Sequence, residues 1–178
     1  PNPSPMTLDG TNTWVVGDDD AAVVIDPGPG VPAHLDAIAA VVRGRRVDRV
    51  LLTHGHLDHS EGARDYATGV GASVLALDPA LRLGDEGLVD GDVVTVGALE
   101  LAVVGTPGHT ADSLSFHLRQ DAALVTGDTV LGRGTTLIEH PDGRLGDYLD
   151  SLRRLRDLAD ESRAVVVLPG HGPALLDP

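Results

Sequence analysis

At 178 residues the chain fits one domain and can bury about two-thirds of its unfolded surface. A formal net charge of −14 argues against tight nucleic-acid binding, because phosphate contacts need basic side chains. With no cysteine there is neither a disulfide scaffold nor a thiolate metal site, and with no apolar run of about 18 residues no transmembrane helix is read.

One Trp, one Phe and two Tyr imply a core packed from aliphatic side chains, and 22 glycines with 12 prolines imply many tight turns. In chain order, "TNTWVVG" (11–17) and "AAVVIDPG" (21–28) predict two strands joined by the turn "DDD". The segment 31–44 predicts a helix, with Pro32 in its first turn and Gly44 at its stop. "VDRVLL" (47–52) is a β-branched strand, "SEGARDYATG" (60–69) a short helix and "ASVLAL" (72–77) another strand. Residues 90–105 predict a strand pair turning near Gly97 and Ala98, followed by strands "DSLSFHL" (112–118) and "AALVTG" (122–127). Apolar residues at 145, 149, 152, 155 and 158 give a helical period, and "AVVVL" (164–168) is the last strand. Strands interspersed with helices fit a layered α/β architecture in one domain, 1–178.

Four times a hydrophobic run ends in a small or polar turn that holds an imidazole or a carboxylate: "VLLTHGHLDH", "LAVVGTPGHT", "AALVTGDT" and "AVVVLPGHG". Strands ending at one edge would bring these loops together. His54 and His56, two apart in an extended chain, point the same way and can grip one ion. Asp58 and His59, on the next turn, can grip a second. His109, Asp128 and His171 complete the set, with glycine at 108, 127, 170 and 172 permitting close backbone approach. Seven nitrogen and oxygen ligands without sulfur exceed one tetrahedral shell and suit two divalent ions, zinc first and manganese or iron as alternates. The arrangement expected is His54, His56 and His109 on one ion, Asp58, His59 and His171 on the other, and Asp128 bridging, with room for a bridging hydroxide as nucleophile. Asp58 is also the catalytic candidate, orienting that nucleophile through its second oxygen. His34 reads as surface and His117 as packing, while His140 is ambiguous, a substrate contact being the lesser of its readings.

"THGHLDH", "TPGHT", "TGDT" and "LPGHG", in this order, resemble the metallo-β-lactamase superfamily over nearly the whole chain. The resemblance implies an αββα four-layer sandwich and the same metal-ligand roles. "NPSPMTLDGTNTWVVG" is similar to the opening of the β-lactamase-like protein 2 group, which includes an endoribonuclease; "TPGHTADSLSF" resembles glyoxalase II, a thioester hydrolase. In the endoribonuclease-like group a C-terminal helical segment normally follows the last histidine motif, and the expectation is a single domain lacking it.

The leading expectation is a dinuclear metal-dependent hydrolase, with RNA phosphodiester cleavage ahead of a small thioester. Arg43, Arg45, Arg46 and Arg49, and Arg153, Arg154, Arg156 and Arg163, are the two clusters that could form a local positive patch, although solvated surface is the plainer reading of both. An iron-dependent persulfide dioxygenase, using one metal, and a non-catalytic metal-binding module rank lower, because no ligand position is lost. No membrane association is expected, the compartment expected is the cytoplasm, and the sequence does not fix an oligomeric state.

Overall fold

Side-chain alternation along the first strands decides the layering. In the computed structural model, which describes residues 2–176, β1 (Trp14–Gly17) and β2 (Ala21–Ile25) form an antiparallel hairpin. Asp18 Oδ1 closes its turn by accepting from the backbone N–H groups of Asp20 and Ala21, each at 2.9 Å. β2 is buried along its whole length, with Val23 and Ile25 in the core shared with a second sheet and Ala22 and Val24 packed towards helices. A strand covered on both faces must be apolar at every position, which is why "AAVVI" shows no alternation.

Parallel neighbours need crossovers, and helices supply them. α1 (Pro32–Val41) leads from β2 to β3 (Arg46–Leu51). α2 (Leu57–Ser60) and α3 (Ala63–Val70) lead from β3 to β4 (Ser73–Leu75), completing a sheet of order β1-β2-β3-β4. The helix expected over 60–69 is α3, beginning at Ala63, and α2 is a separate short turn before it. Gly62 separates them, donating its N–H to Gly28 O at 2.9 Å, where a Cβ would press on that carbonyl. The second sheet contains β5 (Val93–Val96), β6 (Leu99–Gly105), β7 (Leu114–Leu118), β8 (Ala123–Gly127), β9 (Val166–Pro169) and β10 (Leu175–Leu176), in order β10-β9-β8-β7-β6-β5. α4 (Leu145–Ser162) provides the β8-to-β9 crossover.

Two clusters form the core. Between the sheets, Val23, Ile25 and Leu51 meet Leu101, Val103 and Phe116, the one phenylalanine of the chain. On the outer face of the first sheet, Val24, Val50 and Leu52 pack against Ile38 of α1 and Tyr66 and Ala67 of α3. α4 is tied to the second sheet, with Ser151 Oγ donating to Pro107 O at 2.7 Å and Arg154 to Gly105 O at 3.1 Å. The result is the expected αββα sandwich. On α4, however, Leu155 is buried while Leu145 and Leu149 stand exposed, so the apolar stripe meets the body only along the helix's later turns.

β6, β8 and β9 run in one direction, as do β2 and β3, because each antiparallel step is followed by another or by a parallel one. Their C-terminal ends share one edge of the sandwich. Among the described residues no helix is long and apolar enough to cross a membrane.

Candidate metal centre

The seven residues expected from the sequence converge at that edge. β3 ends at Leu51, and the chain beyond it carries His54 and His56 to the site before α2 begins. α2 presents Asp58 and His59 from a single turn. His109 comes from the β6–β7 connection, Asp128 follows β8, and His171 follows β9. His54 Nε2 and His109 Nε2 lie 3.1 and 3.0 Å from His56 Nδ1. On the other side, His59 Nε2 and His171 Nε2 lie 3.4 and 3.3 Å from Asp58 Oδ2. Asp128 stands between the groups, Oδ1 3.4 Å from His59 Nε2, Oδ2 3.2 Å from His171 Nε2 and 3.7 Å from His109 Nε2. His54, His56 and His109 make one candidate ligand group, Asp58, His59 and His171 another, and His54, His59 and Asp128 a third that joins them.

Hydrogen bonds at the rear of the rings set which nitrogen faces inward. Thr53 Oγ1 donates to Asp26 Oδ2 at 2.6 Å, so it accepts from His54 Nδ1 at 3.0 Å. His59 Nδ1 donates to Asp26 Oδ2 at 2.8 Å, His109 Nδ1 to Leu137 O at 2.7 Å, and His171 Nδ1 to Gly10 O at 3.2 Å. An imidazole that spends Nδ1–H on an acceptor offers the Nε2 lone pair as a ligand. When neutral, the four rings therefore aim four lone pairs into one small space, an arrangement that a cation stabilises. His59 Nε2 and Asp128 Oδ1 are buried without a completed hydrogen bond. Such orphaned atoms call for a partner, and the all-nitrogen-and-oxygen donor set fits divalent cations. A Cβ on Gly170 would overlap Asp128 Oδ1 and His59 Cε1, so only glycine leaves this space open. Gly108 serves differently: there a Cβ would strike Tyr148 of α4.

Electrostatics follow from the same contacts. Burial, helped by His59, holds His54 well below the usual histidine range, and burial also lowers His109. Burial opposes charge on His171, but Asp128 and Asp58 outweigh it and push the imidazole up to about 9. His59 is raised for the same reason, with Asp26 and Asp128 overcoming its burial. Burial likewise opposes ionisation of Asp58, yet His171, His59 and Thr11 bring it down to about 2; Asp128 is held far below the carboxylate range. Without bound cations, His59 and His171 keep protons that the cations must displace. Zinc titration of chelator-treated protein near pH 7.5 should release about one to two protons per chain, and affinity should climb with pH until about 9. The sign for folding is opposite. A raised imidazole stabilises the metal-free fold below its ordinary value of 6.5, and that contribution is lost as pH rises towards about 9. Calorimetry in buffers of different ionisation heat measures the release; a proton count of zero at every pH would contradict the arrangement.

A cleft of about 1010 Å³ opens over the cluster, lined by Met6, Leu57, Leu137 and the exposed His140 among others. His34, expected at the surface, is half-buried and shares a 2.9 Å hydrogen bond with Thr13 Oγ1. His117 is buried in β7, in keeping with packing. Three residues escape sequence reasoning. Asp26 also accepts from Thr53 N at 2.8 Å and so orients one imidazole of each group. Thr11 Oγ1 donates to Asp58 Oδ2 at 2.8 Å, and Thr53 relays Asp26 to His54. The available signal was the carboxylate that ends "VVID", a fifth strand end at the same edge.

The metallo-beta-lactamase superfamily model matches residues 6–171. A Beta-lactamase-like protein 2 homolog of Caenorhabditis elegans is 34% identical over 184 residues, covering 98% of this chain and 60% of that protein. An atrochrysone carboxyl ACP thioesterase of Aspergillus fumigatus is 37% identical over 183 residues, covering 98% of this chain and 54% of that protein. The crystal structure of ETHE1 from Myxococcus xanthus aligns with a TM-score of 0.78 and 31% identity, covering 96% of this chain and 73% of that one. The chain thus spans little more than half the length of the two curated relatives.

Proposed function

The chain belongs to the metallo-beta-lactamase superfamily, and from that premise we propose that it is a hydrolase working with two divalent cations on acyl bonds, thioesters first. The observation that carries the reading is the convergence of seven nitrogen and oxygen ligands around two buried atoms that form no hydrogen bond, His59 Nε2 and Asp128 Oδ1. His54, His56 and His109 would hold one cation, Asp58, His59 and His171 the other, and Asp128 would touch both. Zinc is the first candidate, with manganese or iron as alternates. Two bound divalent cations supply Lewis acidity and lower the pKa of water to about 7.

The chain's own residues do the rest. Asp58 Oδ2 is engaged by Thr11 and faces His59 and His171, which leaves Oδ1 for a proton of the attacking water. At about 2 its pKa keeps the carboxylate ionised and able to orient that water at neutral pH. Asp26 and Thr53 hold the rings still, and Leu137 O fixes His109.

Phosphodiester cleavage, ahead of thioester cleavage in the sequence reading, stands second for an electrostatic reason. Arg46, Arg49, Arg153, Arg154 and Arg156 are all engaged by carboxylates, and Arg133 at the cleft is held by Asp9 at 2.9 Å. Glu139 and Asp142 line the same cleft. A polyanion gains little there. The similarity to an ACP thioesterase supports the acyl reading. The test compares S-acyl thioesters with RNA oligomers on metal-replete protein at low and moderate salt. Thioester turnover with weak salt dependence is expected; RNA cleavage that falls steeply with salt, without thioester turnover, would reverse the order.

A further inference from the structure

We infer that the mouth of the metal cluster is an acyl-chain slot, in which Met6, Leu57 and Leu137 receive the hydrocarbon part of the substrate. This rests on the acyl-hydrolase reading and goes beyond it by assigning the residues that select the acyl group. The three side chains are 68%, 70% and 53% exposed. Exposed apolar residues scattered singly are ordinary. These three come from separate segments and line one cleft together with His56, Asp58 and His109.

The chain ties the backbone of each residue to the site or to a framework of its own. Leu57 lies between two ligand residues in the chain, at the first position of α2. Leu137 gives its carbonyl to His109 Nδ1, so the residue that orients a ligand ring also presents an apolar side chain to the cleft. Met6 sits on an N-terminal turn with its own framework. Ser4 Oγ accepts from Met6 N at 3.2 Å and from Thr7 N at 3.0 Å, and Ser4 bridges to Leu8. Asn2 Oδ1 takes Thr11 N at 2.9 Å, next to the Thr11 hydroxyl that holds Asp58. The turn does not use the Met6 side chain for its shape, which leaves that flexible thioether free to adapt to a ligand.

Charge points the same way. Glu139 and Asp142 border the cleft, and Arg133 is already paired with Asp9. A neutral hydrocarbon meets no repulsion here and removes three apolar side chains from water.

The test uses metal-replete protein and S-acyl N-acetylcysteamine thioesters from butyryl to octanoyl. Wild-type kcat/KM should rise about twofold or more per added methylene. The combined variant Met6→Ser, Leu57→Ser, Leu137→Ser should cut the octanoyl-to-butyryl ratio about tenfold, a ratio that does not depend on how much of a preparation is folded. A flat wild-type series, or a ratio unchanged in the variant, overturns the slot. If no thioester is turned over at all, the acyl-hydrolase reading fails separately, and calorimetric binding of octanoate against butyrate decides. An octanoate preference that disappears in the variant upholds the slot; equal binding of the two acids removes it.

Discussion

Replacing Asp128 with alanine should leave no more than one tightly held ion per chain where wild type holds two, and lower kcat/KM by at least about a hundredfold. The two oxygens of this carboxylate face different imidazoles, Oδ1 lying 3.4 Å from His59 Nε2 and Oδ2 3.2 and 3.7 Å from His171 Nε2 and His109 Nε2. No neighbouring group can take over. The next carboxylate, Asp58, is tied on the far side by Thr11. Even residues that only support a ligand typically cost ten- to a hundredfold in affinity or activity when removed, so a shared ligand should cost at least the upper figure. Elemental analysis after dialysis, with activity at saturating metal, reads both quantities. A variant that keeps two ions per chain would show that Asp128 is not shared, and a single ion in the wild type would overturn the two-cation arrangement itself.

Much of this site was legible because its residues cluster in sequence as they do in space. "HGHLDH" places four of the seven on one loop and one helical turn, and period-two reasoning at a strand end suffices to aim His54 and His56 together. The other three sit directly after strands whose apolar runs are easy to read. What was not legible depends on pairings between distant segments. Asp26 was expected within the strand 21–28 with no role of its own, and only the parallel pairing of β2 with β3 brings it against Thr53 and His59. Thr11 was expected inside a strand, yet β1 begins at Trp14 and Thr11 is instead bridged to His171, where its hydroxyl can reach Asp58. The split between α2 and α3 has a similar cause, a contact between Gly62 and Gly28 that no local propensity encodes. The arginine clusters were visible as composition, but two of their carboxylate partners are distant in sequence, Glu86 for Arg49 and Asp90 for Arg154.

The change Asp26→Asn separates ligand orientation from ligand identity, and it should weaken binding of the cation held by His59 about ten- to a hundredfold, with a further effect on His54 through Thr53, while leaving the fold in place. Asn is close to the same shape, and its backbone tolerates the left-handed conformation that Asp26 adopts at φ +50°. The amide oxygen must stay opposite Thr53 N, the 2.8 Å donor, because the amide nitrogen there would set donor against donor. That choice puts the amide NH₂ where Asp26 Oδ2 now accepts from Thr53 Oγ1 and His59 Nδ1. His59 can then be satisfied only as an acceptor at Nδ1, which moves its proton to Nε2, the atom facing Asp128 and Asp58. The ring stays in position but no longer offers a lone pair to the cation. Asp26→Ala lacks this selectivity: it strands two buried side-chain donors and one backbone donor, and should destabilise the fold by about 3 kcal/mol or more. Thermal unfolding of the chelated proteins, zinc affinity by competition with a chromophoric chelator, and the ¹⁵N shifts of His59 together distinguish the two effects. A folded metal-free protein with a neutral His59 that has lost the Nδ1 proton and keeps the one on Nε2, together with weakened zinc binding, is the expected signature for the Asn variant; unchanged zinc affinity would mean that Asp26 does not set the His59 tautomer.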